Sequence, residues 1–82
     1  MVMYEAGMLA RSKAGHDKAQ TYIIKEVDDT YVYLVDGRIR TLGHPKKKKK
    51  KHVQIVHGIY NMKELDDAGI RKLIKDWMKE EK

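Results

Sequence analysis

Ser12, His16 and Asp17 carry the three functional groups of a nucleophilic triad, and all fall on one short stretch of the chain. A triad works by bringing a nucleophile, a base and an orienting acid together from separated elements, beside an oxyanion hole. Residues crowded into a single loop do not converge in that way, so nucleophilic catalysis is not expected here. His44, His52 and His57 are the next candidates, as metal ligands. The chain has no cysteine, no carboxylate stands at a matching spacing, and the lysines between His44 and His52 would repel a cation. Neither a phosphate-loop nor a dinucleotide glycine pattern occurs. The chain is therefore read as non-catalytic, with no metal and no cofactor.

What remains is electrostatics. The stretch GHPKKKKKKH, residues 43–52, contains Lys46, Lys47, Lys48, Lys49, Lys50 and Lys51 between His44 and His52. The formal net charge is +6, and the cationic and anionic residues cancel both before residue 44 and after residue 58. All of the excess therefore sits in the lysine run. A single-sign block on a balanced background makes a focused positive field, which suits a polyanion. His44 and His52 add hydrogen-bond donors for phosphate as the pH falls toward about 6.5.

The elements that must position this block come next. With 82 residues the chain is one domain, too small for a deep cleft, and 41% hydrophobic residues with a single proline favour a folded core over disorder. No apolar segment approaches the roughly 20 residues of a membrane helix, and MVMYEAGMLAR lacks a basic segment leading into a long apolar one. Neither secretion nor membrane spanning is expected, and absent cysteine fits the cytoplasm.

TYIIKEV (21–27) and TYVYLV (30–35) are rich in β-branched and aromatic residues and read as strands, with Asp28 and Asp29 in the hairpin between them. In the second segment Val32 and Leu34 share one face, while Tyr31, Tyr33 and Val35 share the other, and one face is expected to be core. Tyr31 and Tyr33 are expected to pack the interior with their hydroxyls at its rim, the alternative being that one of them faces outward and stacks a base. VDGR (35–38) supplies a turn, IRTL (39–42) reads as a further short strand, HVQIV (52–56) as the last, and GMLAR (7–11) as the first. This is about five strands in roughly 50 residues, the spacing of a small barrel or sandwich. Ile70, Leu73, Ile74, Trp77 and Met78 then fall on one stripe of a helix capped by Asp66, with Leu65 and Ile70 at the hydrophobic-staple positions. The neighbouring basic stripe of Arg71, Lys72, Lys75, Lys79 and Lys82 is read as a solvated face, partly neutralised by Asp76 and Glu80.

Residues 7–37, GMLARSKAGHDKAQTYIIKEVDDTYVYLVDG, resemble a KOW motif as found in large-subunit ribosomal proteins of the archaeal and eukaryotic type and in small bacterial KOW proteins that bind RNA. The likeness rests on the loop of Ala14, Gly15, His16 and Asp17, on the VDG of Val35, Asp36 and Gly37, and on a basic segment ending in a K-H step at Lys51 and His52. Ala19 stands where many such motifs have a second glycine, and the helix lies outside the motif.

The resemblance implies an SH3-like barrel of about five strands, over residues 1–60; with the C-terminal helix that the apolar stripe predicts, over 61–82 and packed on or beside the barrel, the expected fold is mainly β, small α+β. The resemblance also implies an RNA partner, ribosomal RNA first, with ribosomal proteins as candidate neighbours and a monomer when free. The lysines are then expected to form an internal loop, 44–52, between the last two strands. Second-rank contacts are Arg38 and Arg40, expected to alternate outward on the strand before that loop, and Lys13 and His16 in the KOW loop. A different reading makes the chain a protein-interaction module that docks through Ile70, Leu73, Trp77 and Met78. A third takes the lysine run as a localisation signal.

Overall fold

The structure, a computed structural model, describes residues 3–13 and 20–80. Its strands are β1 (Met8–Ser12), β2 (Thr21–Val27), β3 (Tyr31–Val35), β4 (Lys46–Lys49) and β5 (Val53–Ile59), followed by the helix α1 (Asp67–Glu80). They form one antiparallel sheet in the order β4-β3-β2-β1-β5, so the fold is mainly β with a single C-terminal helix, as the strand count implied. No helix among the described residues is long and apolar enough to cross a membrane.

The β2–β3 hairpin closes where the two aspartates stand. Asp28 Oδ1 accepts hydrogen bonds from the Thr30 and Tyr31 amides at 2.9 and 2.6 Å, while the Asp28 amide donates to the Tyr31 carbonyl at 3.0 Å. An aspartate that mimics a backbone turn in this way sets the register of the strands on either side. Ile24 then lies opposite Leu34, and Val27 opposite Val32.

Both faces of the sheet are buried, where the sequence suggested one. Ala10, Tyr22, Ile24, Val32, Leu34 and Val53 form one apolar layer. On the opposite face Leu9, Ile23 and Val35 meet Ile70 and Ile74 of α1, with Leu73 and Trp77 packed alongside. The helix stripe is thus laid on the protein's own sheet. Its start is the expected one: Asp66 Oδ1 accepts from the Gly69 amide at 2.7 Å, and Leu65 packs with Ile70 in the second layer.

The sheet also curls. Laid flat, the outer strands of a five-stranded sheet would stand about 19 Å apart. Here the chain passes from one edge, β4, to the other, β5, through a three-residue 3-10 turn, Lys50–His52. Such a turn advances only about 2 Å per residue, so the two edges must approach each other at that end.

Two expectations are corrected. Residues 39–42 are not a strand, because their segment turns on itself: Asp36 Oδ1 accepts from the Arg38 and Arg40 amides at 2.9 and 3.0 Å, and the Arg40 carbonyl accepts from the Asp36 and Gly37 amides at 2.8 and 3.1 Å. Arg38 and Arg40 therefore do not alternate along a strand. Nor is 44–52 a loop, since Lys46–Lys49 is β4 itself, with Leu34 opposite Lys46 and Tyr31 opposite Lys49. Lysine ranks low in strand propensity, but the ladder is made of backbone groups, and β3 offers a full row of them.

The turn after β3 is clamped to the helix. The Arg71 guanidinium donates to the Gly37 carbonyl at 2.6 Å, and the Leu42 amide donates to Asp67 Oδ1 at 2.8 Å. Gly37 has φ of 78°, and a Cβ there would run into the Asp67 carbonyl oxygen. Gly37→Ala is expected to lose at least about 2 kcal/mol in urea denaturation, from positive φ and the clash together. Gly43→Ala, which meets nothing within 4 Å, should be neutral or gain up to about 1 kcal/mol.

Candidate nucleic-acid interface

Pairing with β3 sorts the lysines by side. Lys46 and Lys48 lie opposite Leu34 and Val32, on the face of the first apolar layer, and are half-buried. Their aliphatic stems can follow that apolar rim while the ammonium groups reach water. Lys47 and Lys49 lie opposite Tyr33 and Tyr31 on the other face and are exposed. Successive lysines on one face are about 7 Å apart along the strand.

Aromatic rings attend the run along its length. The Lys46 ammonium is 5.8 Å from the Tyr22 ring centre, Lys47 is 4.2 Å from Tyr31, and Lys50 is 5.9 Å from Tyr4. These lie within the range in which a cation is attracted to a ring face. The turn that ends the run is fixed as well: the Lys50 amide donates to the Thr30 carbonyl at 2.9 Å, the Tyr4 hydroxyl donates to the Lys50 carbonyl at 2.9 Å, and Lys50 Nζ donates to the Asp29 carbonyl at 3.2 Å. Lys51 and His52 remain exposed on it.

The other expected contacts divide into groups. The Lys13 amide donates to the His52 carbonyl at 2.9 Å, which places exposed Lys13 beside the end of the lysine run. Arg40 shares the surroundings of Tyr22 with Lys46; the Tyr22 hydroxyl is pushed up in pKa by burial first and by Asp36 second, with Arg40 opposing. His44 is exposed in the bend before β4. Arg38 is elsewhere: with Asp36 and Gln20 it faces Arg71, Lys72, Lys75 and Lys79 across a groove between the turn and α1. The basic helix stripe was visible in the sequence, whereas this groove depends on the turn folding back on the helix.

Of the residues tested for other chemistry, Ser12 is buried on β1, and His16 and Asp17 lie outside the described residues, as does the rest of the segment from Ala14 to Ala19. His57 sits against the rings of Tyr60 and Trp77, at 6.1 and 5.7 Å.

The tyrosines depart from expectation. Tyr31 and Tyr33 are half-buried but belong to neither apolar layer, and the Tyr33 hydroxyl donates to Asp28 Oδ2 at 2.8 Å. The signal was present in the strand period: once Val32 and Leu34 form the core pair, the tyrosines must face the other way. No protein-family model matches the chain, and no curated protein is significantly similar to it.

Two pKa shifts follow from this geometry. Burial, then the neighbouring charge of Lys48, lowers that of Lys46. Asp28 is lowered by the Tyr31 and Thr30 amides and then by the Tyr33 hydroxyl, all of which favour its charged form. A carboxylate with a depressed folded pKa contributes stability that is complete above its unfolded value of about 3.9 and is lost as pH falls through the folded one. Thermal melts from pH 7 down to pH 2 should show that loss in the wild type, and Asp28→Asn should melt lower at pH 7 with a flatter acid limb.

Proposed function

We propose that the chain is a non-catalytic RNA-binding domain of the KOW type that grips the phosphates of structured RNA, ribosomal RNA first, along β4 and the turn after it. The observation that carries this reading is the fixing of six consecutive lysines into an extended strand and a hydrogen-bonded turn. A loose lysine tail would have to be ordered on binding, at about 1–2 kcal/mol per residue of backbone entropy. Here folding has already met that requirement, so the run presents a prepared row of charge.

Lysine acts as a compact point charge, which suits phosphates and RNA shape better than base edges. Exposed Lys13 extends the same cationic surface at one end of the run, and exposed His44 and His52 flank it with hydrogen-bonding groups. The KOW likeness supplies the choice of ribosomal RNA, with the protein acting in the cytoplasm as a component of the large subunit or as a factor that visits it. For docking through the helix, the surface is largely occupied: Ile70 and Ile74 are buried, Leu73 and Trp77 pack on the sheet, and only Met78 of that stripe is exposed.

If all six lysines meet phosphates, the log–log dependence of affinity on salt should have a slope of about −4 for single strands and about −5 for duplex. Single Lys→Gln changes at 47, 49 or 51 should each flatten it by about 0.7–0.9 and weaken different RNAs alike. Titrations of labelled RNA over a salt series check this. A wild-type slope near zero, or no binding at all, would contradict the reading.

A further inference from the structure

We propose that Tyr31 and Tyr33, half-buried on the face of β3 opposite Val32 and Leu34, form a stacking platform for unpaired bases, served by Lys47 and Lys49 as the phosphate contacts of the same nucleotides. This rests on the RNA-binding reading and adds to it a ligand class: an unpaired segment, a bulge, loop or single strand, in place of duplex phosphates alone.

Four observations place the platform. The two tyrosines are at i and i+2 of one strand, so they lie on one face about 7 Å apart. Neither is consumed by the core, since the two apolar layers are built from other residues and both rings are only half-buried. The Lys47 ammonium stands 4.2 Å from the Tyr31 ring centre, so a cation already rests on one face of that ring, and a stacking base must take its place there while the ammonium moves to the phosphate. Register sets Lys49 opposite Tyr31 and Lys47 opposite Tyr33, which puts a cation beside each ring on the neighbouring strand.

That juxtaposition matches what a single-stranded segment presents, since it offers a π face and a phosphate at every nucleotide. Base–aromatic stacking is worth about 1–3 kcal/mol per base and tolerates any base, while the neighbouring ammonium groups hold the backbone. A duplex keeps its bases stacked on each other and offers this surface only phosphates. Asp28 holds the Tyr33 hydroxyl at one end of the face, which limits the motion of that ring before a base arrives. Two carboxylates border that face, Asp28, which stays ionised while accepting from two amides and this hydroxyl, and exposed Glu26, opposite Tyr33 on β2, so the phosphates must run on the Lys47 and Lys49 side of the rings.

The test compares a short oligouridylate with an abasic oligonucleotide of equal length and charge, against wild type, Tyr31→Leu/Tyr33→Leu and Tyr31→Phe/Tyr33→Phe, by fluorescence anisotropy. The wild type should prefer the base-bearing strand by about 5- to 150-fold per stacked base. The leucine pair should lose that preference without changing the salt slope, while the phenylalanine pair, which keeps the ring faces, should retain it. Should the leucine pair not fold by circular dichroism, the wild-type tyrosine ring protons provide the readout, and stacking moves them upfield on adding oligouridylate. Equal affinity of wild type for the two strands, unmoved ring protons, or a leucine pair that binds as wild type would overturn the platform. Those outcomes leave the phosphate contacts standing if structured RNA still binds with a steep salt slope. Binding to neither oligouridylate nor structured RNA would overturn both.

Discussion

The pairing of β4 with β3 is the interaction on which the cationic surface depends. Six adjacent cations disfavour any compact arrangement, and two unit charges about 7 Å apart in water repel by roughly 0.6 kcal/mol. At physiological salt, with a screening length of about 8 Å, the repulsion is smaller still. Against it stand the backbone hydrogen bonds of the ladder, each worth about 1 kcal/mol net, and cation–ring contacts of about 0.5–1 kcal/mol at exposed sites. Tyr22, Tyr31 and Tyr4 supply those rings. The balance therefore favours the strand, and alternation then carries the charges to both sides of it. Because β4 is also an edge, its lysines repel a second copy that might add itself to the sheet.

What holds β3 in place is the burial of its alternate residues on two sides. Val32 and Leu34 enter one apolar layer, and Val35 enters the other, under α1. The helix is thus a cover for the sheet. Its first turn is stitched to the segment between β3 and β4 by Arg71 on Gly37 and by Asp67 on Leu42. That segment cannot swing away, so β4 starts from a fixed position.

Much of this was legible in the sequence. The strands at 21–27 and 30–35, the Asp28 hairpin, the Asp66 cap and the apolar stripe of α1 all follow from period and side-chain type, because each is a local pattern. The lysine strand was not legible, since nothing in a lysine homopolymer indicates an extended pairing; only the exposed edge of β3 does. Residues 39–42 misled in the opposite sense. Their alternation resembles a strand, yet the Asp36 carboxylate takes the amides of Arg38 and Arg40 and makes a turn. The scatter of the basic residues has the same origin: Arg40 joins Lys46 around Tyr22 and Lys13 joins His52, but Arg38 is carried by that turn to the groove beside the helix. Backbone hydrogen bonds between distant segments decided these outcomes, and side-chain patterns do not encode them.

The central claim is that RNA lies along β4 and the turn after it, and lysine footprinting tests it most directly. Amine acetylation read out by mass spectrometry, with and without ribosomal RNA at low salt, reports each lysine separately. The account predicts protection concentrated at lysines 46–51, strongest at exposed Lys47, Lys49 and Lys51, with Lys63 labelled equally in both samples. Protection confined to Lys72, Lys75 and Lys79 of the helix, or spread evenly over all lysines, would contradict it.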